Sequence, residues 1–135
     1  MKDFLKVKRP AAIAHRGGAR AYPENTLLAF EKALNVHQMD VLELDVHATR
    51  DGVLVVAHDD TVDRCTDGKG AIAELTLAQL KALDAGARFE AFRGARIPTL
   101  DETLAAFPNA RLNIELKPDA PGLEEKFVAM LKQHG

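Results

Sequence analysis

Glu43 and Asp45 stand two residues apart within Val41 to Thr49, a stretch whose polar and apolar residues alternate like a β-strand. Side chains two apart on a strand point to one face, so the two carboxylates aim at the same space. Paired carboxylates suit a hard divalent cation. His15 follows the apolar run Ala11 to Ala14 and opens His15–Arg16–Gly17–Gly18, while His58 follows a second strand-like run, Val53 to Ala57. Imidazoles titrate near neutrality, so beside a cation they suit proton transfer during a metal-assisted displacement. Arg16 adds a planar fork of donors suited to phosphate oxygens. The chemistry that this set fits is displacement at a phosphodiester.

The elements that must position these groups read as alternating strands and helices. Ala11 to His15 is expected to be a short buried strand that stops where Arg16–Gly17–Gly18 opens a loop. Leu27, Phe30 and Leu34 recur at helical spacing, which predicts a helix over Thr26 to Val36, capped by Asn25 or Glu24. Asn25 is equally well placed to reach the site. In the second strand Val41, Glu43, Asp45 and His47 alternate with Leu42, Leu44 and Val46. The apolar set is expected under the helices and the polar set inward. His47 is read as a solvated residue near a strand end, outside the ligand set.

Parallel neighbours need a crossover of roughly a dozen residues, whereas Asp-Gly favours a tight hairpin. Val53 to Ala57 is therefore expected to return antiparallel, with Asp51–Gly52 as a two-residue loop. That register pairs Arg50 with Val53 and brings His58 opposite Asp45. Residues 59–96 read as an irregular stretch rich in Asp, Gly, Lys and Arg, with one short helix begun by a capping box at Thr76 and Gln79. A second box, Thr99 with Glu102, begins a helix to about Phe107. Leu112 to Lys117 is a further strand, with Asn113, Glu115 and Lys117 on one face. Pro118 to Gly122 is a turn, and Leu123, Phe127, Met130 and Leu131 mark a last amphipathic helix.

With 135 residues, 47% of them hydrophobic, the chain can bury one core. A net charge of −2 offers no general attraction for nucleic acid. No run approaches the roughly 18 apolar residues of a membrane span, and no signal peptide is apparent after the basic N-terminus. A single cysteine, Cys65, excludes an internal disulfide and is read as an inert thiol. A cytoplasmic protein without stable membrane insertion is expected. Polar strand faces between helices predict an α/β fold, part of a (β/α)8 TIM-type barrel, with its site at the carboxyl ends of the strands. About three principal strands plus a hairpin fall short of the roughly 250 residues of a whole barrel. An incomplete barrel leaves an open edge, through which self-association is expected.

The order and spacing of several motifs over residues 11–118 resemble the glycerophosphodiester phosphodiesterase family. These are His15–Arg16–Gly17, Pro23–Glu24–Asn25–Thr26, Glu43–Leu44–Asp45–Val46, Asp51–Gly52, His58–Asp59, Arg64, Ile97–Pro98–Thr99–Leu100 and Asn113–Ile114–Glu115–Leu116–Lys117. Cys65 departs from the family's frequent threonine. The resemblance implies that residues 1–135 form the N-terminal portion of such a domain, with its insertion at about 59–96.

By that resemblance Glu43, Asp45 and Glu115 are the ligands of Mg2+ or Ca2+. His15 and His58 become the general acid and base, and Arg16 and Lys117 bind the substrate phosphate. The implied reaction hydrolyses a small-molecule glycerophosphodiester to glycerol 3-phosphate and an alcohol. The alternatives are a truncated, non-catalytic fragment that binds metal or phosphate, and a related barrel enzyme acting on phosphoinositides or lysophospholipids.

Overall fold

A computed structural model describes residue 6, residues 10–117 and residues 121–134. Val41–Ala48 (β2) is the hub of a four-stranded sheet. Ile13–Ala14 (β1) runs parallel to its start, with Ile13 opposite Val41. Arg111–Leu116 (β4) runs parallel along Val41 to Val46. Leu54–Val56 (β3) returns antiparallel, with Ala48 opposite Leu54. Since β4 occupies one edge of β2 over that whole length, β1 and β3 share the other edge, end towards end. The parallel strands with an antiparallel hairpin form an open α/β sheet, as in part of a barrel.

Apolar alternation builds the outer layer. Leu42, Leu44 and Val46 of β2 pack in one core with Phe30 and Ala33, Leu100 and Leu104, and Leu123. Those partners come from the helices Leu27–Asn35 (α1), Leu100–Ala106 (α3) and Leu123–His134 (α4). Residues 59–96 are better organised than an irregular insertion. Val62, Ile72, Leu80 and Ala85 close a second core on Val55 of β3 and on Ile97, around Leu77–Ala82 (α2). Both capping boxes form, Thr76 with Gln79 and Thr99 with Glu102.

Four expectations need correction. The first strand is shorter and less buried than Ala11 to His15. Ile13 is 53% exposed, and His15–Gly17 leaves the strand in a tight turn kinked at Arg16. The cap of α1 is Thr26, whose hydroxyl accepts from the Ala29 amide at 3.2 Å, rather than Asn25 or Glu24. The hairpin loop is a residue longer, because Thr49 closes it: its amide donates to Val53 O at 2.9 Å. Asp51 is committed to the Thr49 hydroxyl at 2.6 Å and to the Leu77 amide at 2.9 Å, tying the loop to α2. Gly52 completes it at φ 77°. The register therefore shifts, and Ala57, not His58, lies opposite Asp45, donating to its carbonyl at 3.0 Å. In α4, Leu131 is exposed although Leu123 is buried. The turn expected from Pro118 lies outside the described residues at 118–120.

Candidate active site

The polar face of β2 meets the ends of its neighbours at the carboxyl end of the sheet. Asp45 and Glu115 pair across β2 and β4, and Glu43 precedes Asp45 on the same face. One carboxylate oxygen from each of Glu43, Asp45 and Glu115 lies within 4.8 Å of the others. Asp45 is 1% exposed, whereas the Glu115 side chain is 59% exposed.

Cations and donors surround this trio. Lys117, directly after β4, places its ammonium 2.6 Å from Glu115 Oε1 and 3.2 Å from Asp45 Oδ1. The Arg16 guanidinium lies 3.7 Å from Asp45 Oδ2, and its backbone amide donates to Glu43 Oε2 at 2.9 Å. Asn25 Nδ2 donates to Asp45 Oδ2 at 3.1 Å. The Lys117 hydrogen bond, helped by the charges of His58 and Arg16, holds Glu115 below the ordinary carboxylate pKa. Burial works against the Lys117 ammonium, but the Glu115 and Asp45 carboxylates outweigh it and raise its pKa.

Backbone strain sets the inner rim. Arg16 and Asn25 both adopt positive φ, 52° and 56°, which non-glycine residues seldom do. They meet directly, the Asn25 amide donating to Arg16 O at 2.9 Å. The left-handed turn at Arg16 aims its amide at Glu43 and its side chain at Asp45. Gly17 lets that turn lie against α1: a Cβ there would stand 2.8 Å from Ala29 Cβ.

The histidines arrive from the other edge of β2. β1 ends at Ala14, so His15 begins the turn that carries Arg16, with its side chain exposed. β3 runs back towards β1 and ends at Val56, so His58 follows within two residues. The His58 side chain is 33% exposed, and its Nδ1 lies 2.8 Å from Asp59 Oδ1. His47 is a correction: it is 1% exposed, not solvated, and its Nε2 lies 3.0 Å from His58 O. A carbonyl only accepts, so His47 Nε2 carries the proton and pins the backbone of His58. Alternation along β2 marks the face of His47 but not the His58 carbonyl that its ring meets. Burial, and then the negative charge of Glu24, pushes the Cys65 thiol up to about 11, which suits an unreactive cysteine.

The donor set fits a divalent cation. Asp45 Oδ1 is buried, with the Lys117 ammonium 3.2 Å away as an ion-pair partner. It faces two further carboxylates, and oxygen donors of this kind match hard ions.

Fold and site thus define a β/α barrel-type protein with an acidic cluster able to hold a divalent metal, flanked by fixed cations. Residues 15–133 match the model of the glycerophosphoryl diester phosphodiesterase family, and the chain belongs to that family. It is 47% identical over 128 residues to a glycerophosphodiester phosphodiesterase of Caldanaerobacter subterraneus, covering 90% of this chain and 52% of that protein. It is 41% identical over 136 residues to the human glycerophosphodiester phosphodiesterase 1, covering 96% of this chain and 40% of that one. The fold matches an Oleispira antarctica phosphodiesterase solved with the product sn-glycerol-3-phosphate. There the TM-score is 0.83 at 41% identity, over 93% of this chain and 53% of that one. The chain therefore spans about half the length of the relatives it matches.

Proposed function

We propose that this chain carries the metal and proton-transfer groups of a phosphodiesterase that hydrolyses glycerophosphodiesters to glycerol 3-phosphate and an alcohol. The observation that carries this is the convergence of Glu43, Asp45 and Glu115 within 4.8 Å, beside Arg16 and Lys117. Residues 1–135 are taken as the N-terminal part of the domain, with 59–96 as its insertion. Family membership and the product held by the Oleispira relative support the substrate class.

Glu43, Asp45 and Glu115 would hold Mg2+ or Ca2+, which when bound supplies Lewis-acid polarisation of a phosphate oxygen. Arg16 grips phosphate oxygens, and Lys117 offsets negative charge that builds at phosphorus. One histidine of the pair His15 and His58 takes the proton from the glycerol hydroxyl next to the diester. That oxygen bonds to phosphorus, the bond to the head-group alcohol breaks, and the other histidine protonates the departing oxygen. Water then adds to the cyclic phosphate, and one ring P–O bond opens to give glycerol 3-phosphate. The exposed Glu115 and the outer side of β4, which pairs with no strand among the described residues, favour a second reading, a non-catalytic piece that binds metal or phosphate.

Release of glycerol 3-phosphate from glycerophosphocholine, with and without chelator, separates the two. Chelator-sensitive release is expected from the chain, and none from a His58→Ala variant whose metal affinity is nearly unchanged. A folded, metal-loaded chain without turnover would leave the binding role. A large loss of metal affinity in His58→Ala would show that this histidine is misassigned.

A further inference from the structure

Glu24, Arg64 and Asp59 have no part in the chemistry above, yet they connect two groups that do. Arg16 Nη1 donates to Glu24 Oε1 at 3.2 Å. Arg64 donates to both oxygens of Glu24, at 2.9 and 2.7 Å, and to both oxygens of Asp59, at 2.8 and 3.0 Å. Asp59 Oδ1 then meets His58 Nδ1 at 2.8 Å. The chain of contacts runs unbroken from the phosphate-binding arginine to the histidine.

The end of this chain fixes chemistry. An ionised carboxylate only accepts, so Nδ1 of His58 must carry the proton that it shares with Asp59. In the neutral ring the lone pair is then on Nε2, the nitrogen turned away from Asp59. Asp59 has a short, partly exposed side chain that could equally turn to water. Arg64 prevents this by holding both its oxygens, and the grip is anchored in Glu24, whose side chain is only 9% exposed. A bidentate guanidinium supplies direction as well as charge.

We propose that Arg64 is a positioning residue that sets the tautomer and orientation of His58 by clamping Asp59 against the largely buried side chain of Glu24. This rests on the proton-transfer role given to His58 above. Because Glu24 also holds Arg16, the phosphate grip and the proton-transfer ring share one anchor. The Arg64 hydrogen bond keeps the Asp59 carboxyl well below the usual carboxylate range despite partial burial, with smaller help from His58. It therefore stays an acceptor throughout the neutral range.

Ring nitrogen resonances of His58 in the 135-residue chain read the tautomer whether or not the chain turns over. The wild type is expected to show the Nδ1–H form, and Arg64→Gln a shift towards Nε2–H. In Arg64→Gln, kcat for glycerophosphocholine should fall on the order of tenfold with KM within about twofold. If Arg64→Gln does not fold, Asp59→Ala removes the last link and should move the tautomer alike. A folded Arg64→Gln or Asp59→Ala chain in which His58 keeps its Nδ1–H form would overturn the proposal. Full kcat in Arg64→Gln while His58→Ala is inactive would also overturn it. Normal turnover in His58→Ala would instead locate the failure in the role of His58.

Discussion

Asp45 offers each oxygen to a different neighbour, Oδ2 to Asn25 and Oδ1 to the ammonium of Lys117. Burying a carboxylate among cations is tolerable only while every charge stays paired, and the same holds at Glu24, between Arg16 and Arg64. Burial raises the Glu24 pKa, but the hydrogen bonds and charge of Arg64, with those of Arg16, lower it on balance from the ordinary 4.5. A carboxylate whose folded pKa is depressed adds stability above its unfolded value, and loses it as the pH falls through the folded one. Urea midpoints should therefore decline as the pH drops below about 4.5. In Glu24→Gln that acid decline should be shallower, and stability at neutral pH lower by roughly 1 to 3 kcal/mol. An unchanged acid slope would show that Glu24 is not one of the groups that drive it. At the same scale, Asn25 shows what residue type alone cannot decide. Asn25 and Thr26 both precede the helical run, and both are good caps. Only the positive φ at Asn25, a property of the folded backbone, frees its amide for Asp45 and leaves Thr26 to cap α1.

The turn between β1 and α1 is where element geometry controls the site. Gly17 has φ 77°, and a Cβ would press on Ala29 and Phe30 at 2.8 and 2.9 Å. Gly17→Ala is expected to cost about 2 to 4 kcal/mol through strain and overpacking. It should also weaken phosphate binding, because Arg16 is the preceding residue. Chemical denaturation with phosphate titration checks both, and a variant of unchanged stability would remove the close-packing role of Gly17. Periodicity marks β2, α1 and α4, while capping boxes at Thr76 and Thr99 mark the starts of α2 and α3. The hairpin was less legible. Asp-Gly predicts a tight turn, but loop length was decided by Asp51 bonding to Thr49 and to the distant Leu77 amide. One extra loop residue was enough to move His58 off Asp45, since strand faces alternate with every residue. In the second core only Leu77, Leu80 and Leu83 of the α2 region carry a helical spacing; Val62, Ile72, Ala85 and Ile97 stand singly outside the strands and longer helices, where no period marks them as buried.

For the whole molecule, the strand edges matter most. Among the described residues β1 and β4 pair with no strand on their outer sides, and Leu112, Ile114 and Leu116 are only partly buried. Unpaired edges beside half-covered apolar side chains template association. Sedimentation of the 135-residue chain should show self-association, and a cooperative monomer would contradict that expectation. The acidic trio spans β2 and β4, so its geometry depends on the one long strand pairing in the sheet. Calorimetric titration of Mg2+ or Ca2+ into the chain and into Asp45→Asn reads the result of that pairing directly. One ion bound per chain, lost in a folded Asp45→Asn variant, is the expected outcome. Equal binding by both would contradict a shared cation at Glu43, Asp45 and Glu115.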